Sequence, residues 1–490
     1  MVRTKLLVLW GLLGCSAGVL VSLNGCGGGS RGGSSGSSTT TPPQKIQHVV
    51  VIFQENRNPD NLFQDPKLIA AGADIKNVGL DSQGDQITLT PAPLASDFNP
   101  DHSHSSFLNM YDGGKMDGAD KIRVGCNPNA PPPCPPPHAQ FTYVDNSSGV
   151  LTPYFQMAET YTFGDRMFQT NQGPSFPAHQ FIISGTSASA SPGNSLNNLF
   201  AAENPLGIPN GVSDKHTGCI APSDEVVRLI DVTNPDPQTN ETQAMYPCYD
   251  HPTLTDLLNA SKLSWKYYAP SPGSIWTGPN AIQHMCGPNA PIPNATACTG
   301  SDWTHNVVLQ YTQVLTDIAN GQLASVSWVI PSGAVSDHAG INDGSGPSWV
   351  ASIVNAIGNS PYWANTAIII TWDDWGGFYD HVPPPSIINS YEYGFRVPLM
   401  VVSPYAKPAN ISHTVYDFGS ILKFIEKTFA LGTIAPGASI PYADTSSQTG
   451  DLSDCFDFNQ TPLTFQTVPA KYDAKHFLED KRPPTDPDDD

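Results

Sequence analysis

Two short stretches of this chain carry oxygen donors where an α/β protein collects its ligands. Glu55-Asn56-Arg57 directly follows an apolar, valine-rich run over 46–53, and Asp373-Asp374 directly follows a second apolar run over 367–372. If both runs are strands of one parallel sheet, both acidic stretches lie at its carboxyl edge, where open α/β sheets bind ligands. Three carboxylates and an amide oxygen at one edge repel one another unless a cation sits among them. A hard divalent cation is the natural counterweight, because it prefers oxygen donors. An isolated Asp-Asp is usually a solvated or capping pair. The setting Trp372-Asp373-Asp374-Trp375-Gly376-Gly377-Phe378-Tyr379-Asp380-His381 is less ordinary, since two glycines let backbone approach a ligand closely.

A third stretch, Asn171-Gln172-Gly173-Pro174-Ser175-Phe176-Pro177-Ala178-His179, reads as a loop entering a helix. Pro177 is tolerated in a first helical turn, and Ser175 falls at or near the N-cap. The simple use of such a serine is capping. The chemical use is as a nucleophile: a helix N-terminus favours an alkoxide and an incoming phosphate, and a nearby metal lowers the hydroxyl pKa without a histidine base. Histidines able to hold phosphate or protonate a leaving group are His102 and His104 in Asp101-His102-Ser103-His104, His179 one turn after Ser175, His338 after an apolar run ending near residue 330, and His381 closing the glycine loop. Any one of them also serves as an ordinary buried histidine. His284 and His305 have no assignment.

The elements that must position these residues alternate. Runs over 46–53, 323–330, 367–372 and 397–403 read as strands. Helical periodicity marks 253–261, 307–319, 348–357 and 416–430. Alternation of this kind predicts an α/β three-layer sandwich on a mostly parallel sheet. The proline-rich stretch 128–137 must be loop. Residues 187–300, rich in Pro, Asn and Thr, read as a loop-rich cap inserted over the sheet. Residues 436–480 form a C-terminal extension, and the Pro/Asp-rich end, 481–490, reads as disordered.

Arg3 and Lys5 precede an apolar run over 6–23, then Leu23-Asn24-Gly25-Cys26 and a Gly/Ser-rich stretch. Residues 1–26 read as an export signal with a lipobox-like end, and 27–44 as a flexible linker. Three outcomes stay open: a periplasmic or outer-membrane lipoprotein tethered through Cys26, plain secretion, or an uncleaved anchor. Export permits disulfides, and Cys126–Cys134, Cys219–Cys248 and Cys286–Cys298 are the local pairings, with Cys455 left over. A net charge of −21 argues against nucleic acid and strongly anionic membranes as partners.

Taken together, these segments resemble the bacterial phosphoesterase family of phospholipases C, with an acid phosphatase branch. The matching stretches are 46–63, 171–185, 336–340, 360–385 and 394–406, with the helix over 416–431, in order across 45–435. The resemblance implies an alkaline-phosphatase-like fold and a metal-dependent hydrolase acting on phosphoric ester bonds. It implies one divalent cation, of unknown identity, held by Glu55, Asn56, Asp373, Asp374 and Ser175. Ser175 is then also the nucleophile of a phosphoseryl mechanism. By position His104 and His338 resemble the family's phosphate-contacting histidines, either of which would protonate the leaving alcohol, with His381 a further substrate contact. Departures bear on substrate. The first motif continues Asn58-Pro59-Asp60 where Ser-Phe-Asp is usual, Asp374 stands where phospholipases C often have Glu, Ser175 where they often have Thr, and Ala339 replaces a common Pro. The substrate is thus either a phospholipid or a small phosphomonoester. Trp265, Tyr267, Tyr268, Trp276 and Trp303 are the candidate aromatic faces for a choline head group. The rival from another class is a catalytically inactive surface lipoprotein with a binding role. No Gly-x-Ser-x-Gly elbow surrounds Ser175, which argues against an ordinary serine hydrolase.

Overall fold

The computed structural model describes residues 45–206, 216–234, 236, 239–386 and 393–485. The leader, Cys26 and the linker lie outside the described residues, as do residues 486–490. Among the described residues no helix is long and apolar enough to cross a membrane.

The core is an eight-stranded sheet built from β1 (His48–Gln54), β2 (Thr162–Phe168), β3 (Trp265–Tyr268), β4 (Val307–Val308), β5 (Val326–Val329), β6 (Thr366–Trp372), β7 (Arg396–Val402) and β8 (Asn410–Ser412). Their spatial order is β4-β3-β5-β1-β6-β7-β2-β8. Every neighbouring pair is parallel except those made by β7 with β6 and β2. The central strands are continuous apolar runs because both faces are covered: every residue of β6 and β7 is buried, as is all of β1 after His48.

Alternation along β1 and β6 separates the two helical layers. Phe53 meets Phe418 and His179 edge-on, on the side of α3 (Ser175–Ser184) and α5 (Phe418–Phe429). Trp372, in register with Gln54, points the other way and packs on Tyr154 of α2 (Thr152–Thr160), beside α4 (Gly346–Gly358). A short helix, α1 (His104–Tyr111), lies outside this sandwich on a smaller core with Trp375 and Phe395. The expected three-layer α/β arrangement is therefore present.

Several local expectations are corrected. The run 307–319 is not one helix: Val307–Val308 pairs with β3, and the helix begins only at Gln313. The insertion is smaller than 187–300. Its own sheet comprises Leu199–Ala201, Val227–Asp231 and Gln243–Met245, but the helix Leu254–Ala260 and β3 belong to the main layers. Thr253 and Asp256 close a capping box that starts that helix. The β2 strand, Thr-Phe-Gly-Asp-Arg-Met-Phe, was not expected from its mixed composition. The chain past 480 holds structure at least to Thr485, because Thr485 accepts from the Gly333 and Ala334 N–H groups and Arg482 pairs with Asp343.

Cys126–Cys134, Cys219–Cys248 and Cys286–Cys298 are disulfides, and Cys455 is a buried free thiol. Next to the last bridge His284 clamps two acids, with Nδ1 at 2.8 Å from Asp250 and Nε2 at 3.5 Å from Asp256. Burial alone would lower His284, but the two carboxylates outweigh it and push it up to about 9. Its contribution to stability is therefore complete below the unfolded value of 6.5 and is lost as pH rises through about 9. The melting-temperature gap between wild type and His284→Gln should be widest near pH 6 and close above pH 9; a gap that does not change with pH would contradict the clamp.

Candidate active site

All the expected oxygen donors meet at the carboxyl edge of the sheet. The residues after β1 and β6 leave adjacent parallel strands in register, and Glu55 and Asp373 continue on the α3 side. The backbone N–H of Asn56 donates to Asp373 Oδ1 at 2.9 Å, and that of Asp374 donates to the same oxygen at 2.8 Å. Gly376 N–H donates to Asp374 Oδ1 at 2.7 Å. Asn56 sits at φ 58°, in the left-handed region that asparagine tolerates. Gly376 passes so close that a Cβ there would stand 2.1 Å from the Asn56 carbonyl oxygen, and its own φ is +70°. Only glycine meets both demands.

Glu55, Asn56, Asp373 and Asp374 are fully buried. Burial and the charges of Asp373 and Asp374 push Glu55 well above the ordinary carboxylate range. Ser175 is the first residue of α3 and hydrogen-bonds Glu55. The cap position itself is Pro174, with no side-chain cap, so the Ser175 hydroxyl is not spent on the helix. The Phe176 N–H is capped from the insertion by Asn204 Oδ1 at 2.9 Å. His179, one turn on, sets Glu55 from behind, with Nε2 at 3.1 Å from Oε1 and Nδ1 at 3.3 Å from the Tyr267 hydroxyl. Burial pushes His179 down to about 4, so it is neutral. Gln169 ties the serine loop to the aspartate loop: its amide nitrogen donates to the carbonyls of Asn171 and Gly173, and its oxygen accepts from Trp375 N–H.

The histidines divide. His338 and His102 face the cluster, their rings 5.6 Å apart. His102 Nε2 is 2.6 Å from the Asn56 amide nitrogen and 3.8 Å from Asp374. His338 Nε2 is 3.3 Å from the Asn56 amide. His104 does not reach the cluster. Ser103 caps α1, so His104 turns away into its first turn, with its N–H on Glu203 (3.0 Å) and Nδ1 on Glu241 (2.9 Å). His381 is likewise elsewhere, between Asp60 (2.6 Å) and Asp74 (3.0 Å). It belongs to an ionic knot around the buried Arg396, which also holds Asp380 and anchors the glycine loop to the start of β7. His102, His179, Tyr267 and Gln169 are the site-lining residues that motif reading underweights. The Ser103 N-cap, which leaves His102 in extended chain and makes His104 the first helical residue, is the signal that separates His102 from His104.

The donor set fits a hard cation. His102 Nδ1 and His338 Nδ1 both donate to backbone carbonyls, at 3.0 Å to Pro100 and 2.7 Å to Ala339. In the neutral rings each Nε2 is then an acceptor, so the Asn56 amide must offer them its nitrogen. Its oxygen consequently faces Glu55 Oε2 and Asp373 Oδ1, each 3.2 Å away. Turning the amide over would satisfy the carboxylates only if both histidines carried a second proton. Asp373 Oδ2 is buried with no hydrogen-bond donor among the described residues. Converging oxygens, whose burial and mutual repulsion push Glu55 well up, are what a divalent cation relieves. Of two other groups with metal-ligand geometry, Asp60–Asp380–His381 is occupied by Arg396, and in His104–Glu203–Glu241 the His104 N–H donates to Glu203 while its ring meets Glu241.

A family model described as the Phosphoesterase family matches residues 46–432, and the chain belongs to that family. Similar proteins include the hemolytic phospholipase C of Pseudomonas aeruginosa, 24% identical over 85% of this chain and 56% of that protein. The non-hemolytic phospholipase C of Burkholderia pseudomallei is 27% identical over 45% of this chain and 38% of that protein. The chain thus spans little more than half the length of these relatives at most. Among solved structures, a protein in the alkaline phosphatase superfamily from Vibrio parahaemolyticus aligns over 79% of this chain and 68% of its own, with a TM-score of 0.31 and 10% identity.

Chelated protein should gain several degrees in melting temperature on adding saturating Mn²⁺ or Mg²⁺, since a ligand that binds only the folded state stabilises it. Asp373→Asn should lose most of that gain. An equal gain in the variant would show that the cation binds elsewhere.

Proposed function

We propose that this chain hydrolyses phosphate esters, using Ser175 as nucleophile beside a divalent cation held by Glu55, Asn56, Asp373 and Asp374. One observation carries the reading. A serine hydroxyl released from capping duty lies against Glu55, one of four buried oxygen donors gathered at the carboxyl edge of a parallel sheet. Family membership supports the reaction class, and the named phospholipases C among its relatives agree with it.

The bound cation would neutralise the carboxylates, draw in the phosphate and favour the serine alkoxide. The remaining work falls to the chain. Glu55 orients the Ser175 hydroxyl, and His179 orients Glu55. The Ser175 proton leaves to solvent as the alkoxide forms, Oγ attacks phosphorus in line, the bond to the ester oxygen breaks, and phosphoserine forms. The departing alkoxide takes a proton from His338 in its imidazolium form, with His102 next to it. Water, giving a proton to the now neutral His338, then attacks the phosphoserine; the bond from phosphorus to Ser175 Oγ breaks, phosphate leaves, and the serine and the imidazolium are restored. His102 stands where His104 was expected to act.

The same reading has the chain exported, because three disulfides suit an oxidising compartment. Whether Cys26 carries lipid would be read from acyl labelling of wild type against Cys26→Ser.

Ser175→Ala should lower turnover of p-nitrophenyl phosphate by at least about a thousandfold and abolish phosphoserine trapped by acid quench. Its melting temperature should stay near that of wild type. Retained turnover in a folded Ser175→Ala protein would refute the nucleophile.

A further inference from the structure

A cleft of about 290 Å³ opens directly beside His338. One wall is a two-stranded ribbon, Phe98–Pro100 against Val124–Cys126, in which Asn99 pairs with Gly125. The Cys126–Cys134 disulfide pins its outer strand, and the Asp101 N–H donates to the Arg123 carbonyl at 2.8 Å to continue the ladder. The opposite wall is His338-Ala339-Gly340, held to the ribbon's base by the Gly340 N–H on the Ser96 carbonyl. The cleft adjoins the carboxylate cluster through two of its lining residues. Its residue His338 reaches the Asn56 amide, and its residue Asp101 precedes His102, which does the same.

We propose that this cleft receives the leaving alcohol, that it favours a small polyhydroxylated alcohol over a diacylglycerol, and that Arg123 determines the preference. The inference rests on the phosphoesterase reading of the site and adds to it the class of substrate. Three observations carry it. First, the polar side chains lining the cleft are complementary in kind: Arg123 offers a fork of donors, Asp101 offers carboxylate acceptors, and Asn99 and Asn127 offer both. That mixture matches vicinal hydroxyl groups, each of which donates and accepts. Among the described residues the Arg123 guanidinium has no ion pair, although the chain carries a net charge of −21. Second, the volume of about 290 Å³ lies just under the roughly 300–1,000 Å³ typical of small-molecule pockets and suits a sugar-sized alcohol. Third, the apolar rim that a lipid would need is missing from this cleft. Ile341 is its one large hydrophobic residue, and none of the aromatic candidates for a choline face lines it. Trp265, Tyr267 and Tyr268 are buried in the main core, Trp276 is buried beside His338 with ring centroids 6.0 Å apart and does not line the cleft, and Trp303 packs among the insertion's disulfides.

The test compares kcat/KM of the full-length protein, loaded with Mn²⁺, on glucose 6-phosphate, on phosphatidylcholine vesicles and on p-nitrophenyl phosphate as the reference ester. Wild type should prefer glucose 6-phosphate to phosphatidylcholine by more than about tenfold. In Arg123→Ala the ratio of glucose 6-phosphate to p-nitrophenyl phosphate should fall about tenfold, the worth of one charge-assisted hydrogen bond. Arg123→Lys should recover part of it. A merely structural role for Arg123 would lower both substrates together and leave the ratio unmoved. An unmoved ratio, or phosphatidylcholine hydrolysed as well as the sugar phosphate, overturns this inference while leaving p-nitrophenyl phosphate turnover, and the reading beneath it, intact. Absence of turnover on all three overturns both.

Discussion

The repulsion among Glu55, Asp373 and Asp374 is the constraint around which this protein is arranged. Their burial removes water as the screening medium, so each carboxylate raises the cost of ionising the next. The fold holds them together through backbone donors: Asn56 and Asp374 N–H on Asp373, Gly376 N–H on Asp374. These bonds hold the geometry but supply only partial charge. The two buried guanidinium groups nearest in sequence do not supply the rest. Arg57 is spent on the carbonyls of Asp337 and Leu94, with its face on the Phe378 ring at 4.7 Å. Arg396 is enclosed by Asp60 and Asp380. Arg57 and Arg396 thus serve as loop anchors, and positive charge at the carboxylate cluster would have to come from a bound ion.

The same logic suits a neutral His179 beside the cluster. A permanently charged neighbour would compete with the cation for the carboxylates. His179 is pushed down to about 4 by burial, and the Nδ1 of His102 and of His338 is committed to a backbone carbonyl. Each ring therefore turns one lone pair inward and becomes a proton carrier only on gaining a second proton. With Nδ1 so committed, the two histidines favour the amide nitrogen of Asn56 on their side, which leaves its oxygen beside Glu55 and Asp373.

Much of this was legible in the sequence because the chemistry sits at strand ends. The runs ending at Gln54 and Trp372 are long, apolar and β-branched, so both strands and the acids after them were evident, and their register followed from adjacency in a parallel sheet. What stayed hidden had physical causes. The β2 strand carries Gly164, Asp165 and Arg166 in its middle; those polar groups are answered by Arg396, His413 and Asp74, which only the fold brings near. The four residues of β3 fell inside a loop-rich composition that looked like insertion throughout. Val307–Val308 is too short for a period to show, and the following helix absorbed it. His104 and His381 were chosen as substrate contacts from motif position; a single N-cap at Ser103 turned one aside, and a pair of aspartates claimed the other.

The insertion has a larger part than covering the sheet. Asn204 caps α3 at the residue after Ser175, and the Ala202 carbonyl lies so close to Gly173 that a Cβ there would stand 1.9 Å from it. Glu203, between them, accepts from the His104 N–H, and Glu241 holds the His104 ring, whose other nitrogen is 3.3 Å from Gln172. The segment bearing His102 and the loop bearing Ser175 are therefore joined through three consecutive insertion residues. Neither loop could hold its functional residue without them, since each is irregular backbone whose polar groups need partners when buried. A segment whose composition suggests a dispensable cap is part of what fixes the serine and the histidine with respect to each other. That is why His104 is closely packed although it touches neither the carboxylates nor the cleft: it is the joint between the two loops.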